Sequence, residues 1–313
     1  MPASGDLNVP WIDLPYFEKL LDRSVLDAGM REKAKFFARE GYLLIDLKIS
    51  DFDDVAAEIV TACSKQPDYD VRVTDAWESI PGVKRLALLP SVLSLLQALY
   101  RRTPVAMQTL HFSRGTEQKP HADAFHFNSV PRGFMCGVWI ALEEIDDRNG
   151  PLLYYPRSHK LPYLEHMHYG LTASRQSGYE LYPTYEEQLD RVLDKTGLEP
   201  LTVSMPAGHA LVWAANLAHG RAPIVDRQRT RHCQITHYFF EDCLYYQPQK
   251  SDVFLGRIEW LDKRNVATGD YLPQVYNGRR VRVPMGVLER LKRTARRSAF
   301  APVLRHVKRK ISP

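Results

Sequence analysis

KPHADAFHF, residues 119–127, places His121 and Asp123 two positions apart, and the chain offers a third candidate ligand in His219. Side chains alternate along extended chain, so residues i and i+2 share a face with Cα atoms roughly 6–7 Å apart. Two ligands at that separation can converge on one ion, and the third must arrive from another strand. Two imidazoles and one carboxylate on one face of a metal, with open positions opposite, are a donor set suited to Fe(II). H-x-D alone arises often by chance, so the surrounding chain carries the argument.

Outward from this stretch the texture is that of short strands. Residues 105–113 (VAMQTLHFS) end at Gly115, and 135–143 (MCGVWIALE) end at the turn IDDRNGP. Residues 152–155, 201–205, 210–214 (ALVWA) and 231–240 (RHCQITHYFF) follow, with a turn at Pro206-Ala207-Gly208. Short strands at regular spacing with turn signals between them predict a closed double-sheet, jelly-roll barrel. The front of the chain differs. REKAKFFARE (31–40) reads as an amphipathic helix stopped by Gly41, and YLLIDL (42–47) as a buried strand. Helices are expected over 54–64, with Asp51 or Asp53 as cap, and over 91–100, with Ser91 as cap. Residues 67–88 give no clear pattern. The expected organisation is one domain over 1–278: a helical front (1–104), a mainly β core (105–243) and an extension (244–278). A long insertion at 160–200 interrupts the core, holding the helical stretch YEEQLDRVLDK (185–195), and reads as a lid or binding loop.

Composition is that of a globular protein, 44% hydrophobic and 25% charged in 313 residues. Cys63, Cys136, Cys233 and Cys243 show no disulfide or zinc-finger spacing, which fits a reducing, cytoplasmic setting. No signal peptide is evident near Met1, and no run approaches ~18 apolar residues. The net charge of +5 hides a division: residues 279–313 hold 12 Lys/Arg and one acid, Glu289, leaving the preceding body at −6. The stretch 285–310 has Val287, Leu288, Leu291 and Ala295 beside several arginines, broken by Pro302. Three roles are open to such a tail: contact with an anionic membrane surface, nucleic-acid binding, or docking on the acidic body. The acidic body argues against nucleic acid as a main partner.

Residues 30–245 resemble the phytanoyl-CoA dioxygenase family of Fe(II)/2-oxoglutarate-dependent oxygenases. The resemblance rests on the ordered set: FFAREGYLLIDL, the H-x-D, WIALEEIDDRNGPLLYYPRSH (139–159) with its N-G-P-L and P-x-S-H, and His219-Gly220 after a Gly-turn and apolar strand. It implies a double-stranded β-helix (cupin-like jelly roll) with flanking helices, Fe(II) held by His121, Asp123 and His219, and 2-oxoglutarate and O2 as co-substrates. It also implies hydroxylation of a C–H in a small or medium-sized metabolite, a lipid-, CoA- or glycan-linked one among the options. A halogenase has a small residue in place of Asp123. The family places an arginine for the distal carboxylate of 2-oxoglutarate shortly after the second histidine, and a guanidinium fork suits a carboxylate. Arg229 and Arg231 both qualify and share parity; counting back from Tyr238 favours Arg231. The family's frequent N-x-S before that arginine is replaced here by RAPIVDRQ (221–228). Gln108 is a further co-substrate candidate. His126, Trp139, Arg157 and Trp213 are candidates for substrate contact, and His166 and His168 for lid residues. The contrasting reading is a non-catalytic barrel used as a binding or scaffold protein, with a structural or vestigial metal. A nucleic-acid demethylase on the same fold needs an Asn that DRQRTR (226–231) lacks.

Overall fold

The computed structural model describes residues 7–115, 118–172 and 179–284. One compact unit runs to Arg280, and the remainder forms a second. The basic segment 285–310 lies outside the described residues.

Among the described residues seven α-helices occur in chain order: α1 Phe17–Asp22, α2 Ala28–Glu40, α3 Phe52–Cys63, α4 Pro81–Ala87, α5 Pro90–Tyr100, α6 Asp123–His126 and α7 Tyr182–Thr196. The principal strands are β1 Tyr42–Asp46, β2 Val73–Thr74, β3 Pro104–Phe112, β4 Asn128–Val130, β5 Met135–Ala141, β6 Leu152–Tyr154, β7 Leu201–Val203, β8 His209–Ala214, β9 His219–Arg221, β10 Cys233–Phe240 and β11 Leu244–Tyr246. A six-stranded antiparallel sheet has the order β1-β8-β5-β10-β3-β2. A small sheet has the order β7-β6-β9, and β4 pairs with β11. This is the expected double-sheet core with helices in front.

Alternation along the strands sorts their side chains between two cores. Val138, Ile140, Ala210, Val212, Tyr238 and Phe240 pack against the front helices. Leu110, Trp139, Leu211, Trp213, Cys233 and Ile235 turn the other way and meet Leu152, Tyr154 and Val203 of the small sheet. The large sheet is therefore covered on both faces. Truncating one of these buried aliphatic side chains to Ala costs about 2–5 kcal/mol.

Gly41 ends α2 in the left-handed region (φ +83°), its N–H donating to the Phe37 carbonyl at 2.8 Å. YLLIDL is an edge strand rather than a buried one: β1 pairs with β8 alone, and Leu43 is the one buried residue of its five. Asp51 does not cap α3; its carboxylate takes both Arg85 Nη groups at 2.6 and 2.7 Å. Ser91 is not a cap either. α5 starts at Pro90, which has no N–H left to satisfy. The unplaced stretch 67–88 contains the two-residue β2 and the short α4, both too brief to leave a period. Pro81–Tyr100 is long and apolar enough to cross a membrane by length and composition, but it is two helices, and half of it is buried in the core.

Candidate metal centre and cofactor cavity

His121 and His219 are joined by the backbone before any metal is considered. The His121 N–H donates to the His219 carbonyl at 2.8 Å, and the His219 N–H returns to the His121 carbonyl at 2.9 Å. Gly220 permits this approach: a Cβ there would lie 2.9–3.1 Å from backbone atoms of Gln118, Lys119 and Pro120. The chain is extended through Ala122 (φ −112°, ψ 133°) and then turns into α6, which Asp123 opens. The ligand atoms of His121, Asp123 and His219 all lie within 4.8 Å of one another, and all three residues are buried.

The neighbours fix which atom of each ligand is free. His121 Nδ1 lies 3.2 Å from the Lys119 carbonyl, and His219 Nδ1 lies 2.9 Å from that of Leu217. A proton on each Nδ1 is held by those carbonyls and leaves Nε2 as the ligand atom. Trp213 Nε1–H donates to Asp123 Oδ2 at 2.7 Å, and Oδ1 faces His219 Nε2 at 3.9 Å. The indole reaches Asp123 by lying over Gly137, where a Cβ would sit 2.3 Å from the ring. His237 Nε2 is 3.4 Å from Asp123 Oδ2, and its Nδ1 is 3.2 Å from Gln108 Oε1. Burial opposes ionisation of Asp123, but His237, His219 and His121 outweigh it and hold the carboxyl well below the usual range. Burial lowers His121 and His219, which favours the neutral imidazoles a metal requires. The donor set fits Fe(II).

These residues stand in the wall of a cavity of about 460 Å³. Gln108, Trp213 and His237 come from the large sheet and Arg221 from β9. Tyr179 and Tyr182 come from the insertion, and Gln247, Lys250 and Lys263 from the chain beyond β11. Arg231 lies behind this wall, fully buried. Its Nη1 donates to the Gly150 carbonyl at 2.8 Å, while Nε and Nη2 are buried without an oxygen or nitrogen partner, with the weakly accepting Cys233 sulfur as a neighbour. Arg221 adds a third such group, Nη1, and its guanidinium carbon sits 4.2 Å over the Phe112 ring. Burial and the neighbouring Arg231 both press the Arg221 guanidinium below its ordinary range. Two adjacent cations, Arg231 fully buried and Arg221 half-buried, with unfilled buried donors are costly unless an anion joins them.

Residues 30–233 match the phytanoyl-CoA dioxygenase (PhyH) family. The chain belongs to the phytanoyl-CoA dioxygenase family. It is 24% identical over 279 residues to the rat peroxisomal phytanoyl-CoA dioxygenase, covering 78% of this chain and 77% of that protein. It is 30% identical over 132 residues to zebrafish phytanoyl-CoA dioxygenase domain-containing protein 1, covering 41% of each, so less than half of that relative is spanned. Among solved structures, the 2-oxoglutarate-dependent epimerase SnoN of nogalamycin biosynthesis aligns with a TM-score of 0.52 at 19% identity, over 78% of this chain and 95% of its own. EctD from S. alaskensis, solved with 2-oxoglutarate and 5-hydroxyectoine, aligns at 0.51 and 17%, over 69% and 76%. These likenesses show the fold, the double-stranded β-helix of PhyH-like oxygenases.

The phytanoyl-CoA dioxygenase motifs have physical work in this chain. In N-G-P-L, Asn149 Nδ2 donates to the carbonyls of Glu144 and Thr230, and Gly150 (φ +79°) presents its carbonyl to Arg231. In P-x-S-H, Ser158 Oγ donates to the Tyr155 carbonyl and accepts the Ala218 N–H at 2.8 Å, fixing the residue before His219. His159 packs against Gly41 and reaches the Ala38 carbonyl.

Several expected site residues stand elsewhere. Arg229 is on the surface, paired with Asp146 at 2.5 Å in the turn before β10. Trp139 is wholly buried between the sheets and is not in the cavity wall. Arg157, at φ +69°, is exposed beside Glu40 at 4.0 Å and is also outside the wall. Trp213 lines the cavity but orients Asp123. His126 lines it too, between Gln249 Oε1 (3.0 Å) and the Tyr182 hydroxyl (3.3 Å). His166 reaches the Gln249 carbonyl, and His168 caps the turn at Glu165. His237, Arg221, Lys250 and Lys263 were not singled out from sequence. His237 was within reach, since it shares parity with Arg231, Cys233 and Ile235.

Proposed function

We propose that this protein hydroxylates an unactivated C–H of a small or medium-sized molecule, with 2-oxoglutarate and O2 as co-substrates. The carrying observation is the complete ligand set, in which Asp123 is present and held by Trp213. Bound Fe(II) would supply O2 activation coupled to oxidative decarboxylation of 2-oxoglutarate. The chain's own residues do the rest. His121, Asp123 and His219 hold the metal on one side. Arg231, with Arg221 beside it, takes the distal carboxylate of 2-oxoglutarate, which would fill the donors left unpartnered in the buried guanidiniums. Gln108 steadies His237, and Phe127 and Tyr182 supply aromatic surface to the cavity wall.

The test is an anaerobic titration with Fe(II) and then 2-oxoglutarate, following the visible charge-transfer band of the ternary complex. The band is expected in the wild type and in Arg229→Ala, absent in His219→Ala, and weakened in Arg231→Ala. Iron binding with no 2-oxoglutarate band would favour the scaffold reading. For the basic tail we propose peripheral contact with anionic membrane from a cytoplasmic location. Liposome sedimentation of the full chain against residues 1–284 tests it, and equal partition sinks it.

A further inference from the structure

The cavity wall carries four cationic side chains, Arg72, Arg221, Lys250 and Lys263, and one carboxylate, Asp123, among the described residues. Asp123 is committed to the metal, and Arg221 stands with Arg231. Three cations are left over. They arrive from separate segments: Arg72 just before β2, Lys250 just after β11, and Lys263 further along the same extension. A solvated basic face has no need of such convergence on a concave wall.

The two ammonium groups rest on aromatic faces instead of carboxylates. Lys263 Nζ lies 5.2 Å from the centre of the Phe127 ring, and Lys250 Nζ lies 4.5 Å from that of Tyr179. Neither forms an ion pair with a described residue. The carboxylate that bears on Lys263 is Asp75, whose Oδ1 already accepts the Thr109 N–H and the Trp77 Nε1–H. Burial pulls the Lys263 ammonium below its ordinary range; Asp75 opposes this, and Arg72 and Lys250 reinforce it. The position relative to the metal is also defined. Phe127 contacts both Lys263 and His237, its ring centre 5.4 Å from that of His237 and tilted 43° to it, and His237 touches Asp123. Lys263 thus lies on the His237 side of the metal, and Arg72 stands between the two sets of cations, close enough to bear on both Lys263 and Arg221.

We propose that Arg72, Lys250 and Lys263 form a second anion-binding subsite, which takes a carboxylate or phosphate group carried by the substrate. A small anion there offsets part of three converging charges and leaves the remainder of the molecule directed past Phe127 toward the metal. Gln247 beside Lys250 adds hydrogen-bonding capacity. This inference rests on the 2-oxoglutarate reading for its division of the cations into two sets.

The test uses full-length protein loaded with Mn(II) and saturated with N-oxalylglycine, which occupies the Arg231 pocket. Calorimetric titration with inorganic phosphate and, separately, acetate reads the second subsite and tells phosphate from carboxylate preference. We expect one of the two to bind the wild type, and the Lys250→Met/Lys263→Met double variant to bind it at least tenfold more weakly. Affinity for N-oxalylglycine should be the same in both proteins, which also shows that the double variant is folded. Equal anion affinity in wild type and double variant overturns the proposal, as does binding of neither anion to the wild type. Failure of N-oxalylglycine itself to bind overturns the co-substrate reading instead. In that case phosphate titration of the metal-free protein, again compared with the double variant, still decides the subsite.

Discussion

The metal end and the arginine end of the cavity are built to opposite rules. At the metal end, each ligand has a partner: carbonyls of Lys119 and Leu217 beside the two imidazoles, and the Trp213 indole on Asp123. At the arginine end, three buried guanidinium N–H groups have no oxygen or nitrogen partner. The first end is finished by the protein and needs only an ion. The second keeps donors without an acceptor, and these are the groups proposed above to meet the distal carboxylate of 2-oxoglutarate. A buried polar group left without a partner is therefore as informative about a ligand as a well-formed site is.

The sharpest way to break this contrast is His219→Ala. Removal of one ligand should weaken Fe(II) binding by more than about 100-fold, as read by anaerobic metal titration. Arg231→Met comes next. It should weaken 2-oxoglutarate by roughly 100-fold, since truncating one member of a buried charge-assisted pair costs about 2–5 kcal/mol. Yet the same change should raise the melting temperature of ligand-free protein, because a well-packed apolar group replaces an uncompensated buried cation. A lower melting temperature would mean that the arginine end is structurally complete. Trp213→Phe should cost about 10–100-fold in metal affinity, with 2-oxoglutarate affinity of the metal-saturated protein preserved.

The smallest effect concerns a buried histidine outside both ends. His111 stacks on His232 at 5.5 Å, and burial, with His232, pushes it down to about 3. The unfolded value is about 6.5. Its neutral form therefore contributes stability above that value, and this is lost progressively as pH falls from 6.5 toward 3. His111→Phe should reduce the loss of urea stability between pH 7 and pH 5 by about 1–2 kcal/mol. An unchanged loss would place the acid sensitivity elsewhere.

The triad was legible because an i, i+2 pair and a histidine after a Gly-turn survive as local pattern. The different placement of the two candidate arginines was not legible. Arg229 and Arg231 share parity, and what separates them is the turn Asp226–Arg229, which faces Arg229 to solvent and Asp146. His237 was hidden for a different reason: all eight residues of β10 are buried, so hydropathy does not mark which face looks into the barrel. Trp139 has the interior parity but is enclosed before it reaches the cavity. Lys250 and Lys263 belong to an extension with little regular structure, where no period exists to read. The edge position of YLLIDL depended on pairing, which composition does not encode.

The paired hydrogen bonds between His121 and His219 close a very long span of chain at its base. Within that span lies the insertion that contributes Tyr179 and Tyr182 to the cavity wall. Lengthening or replacing the insertion, as distinct from β5 and β8 in the same span, leaves the separation of the two histidines untouched. The architecture is a cassette: substrate-facing surface can be exchanged while the two histidines keep their spacing. Selectivity can therefore change in this scaffold without the iron geometry being solved anew.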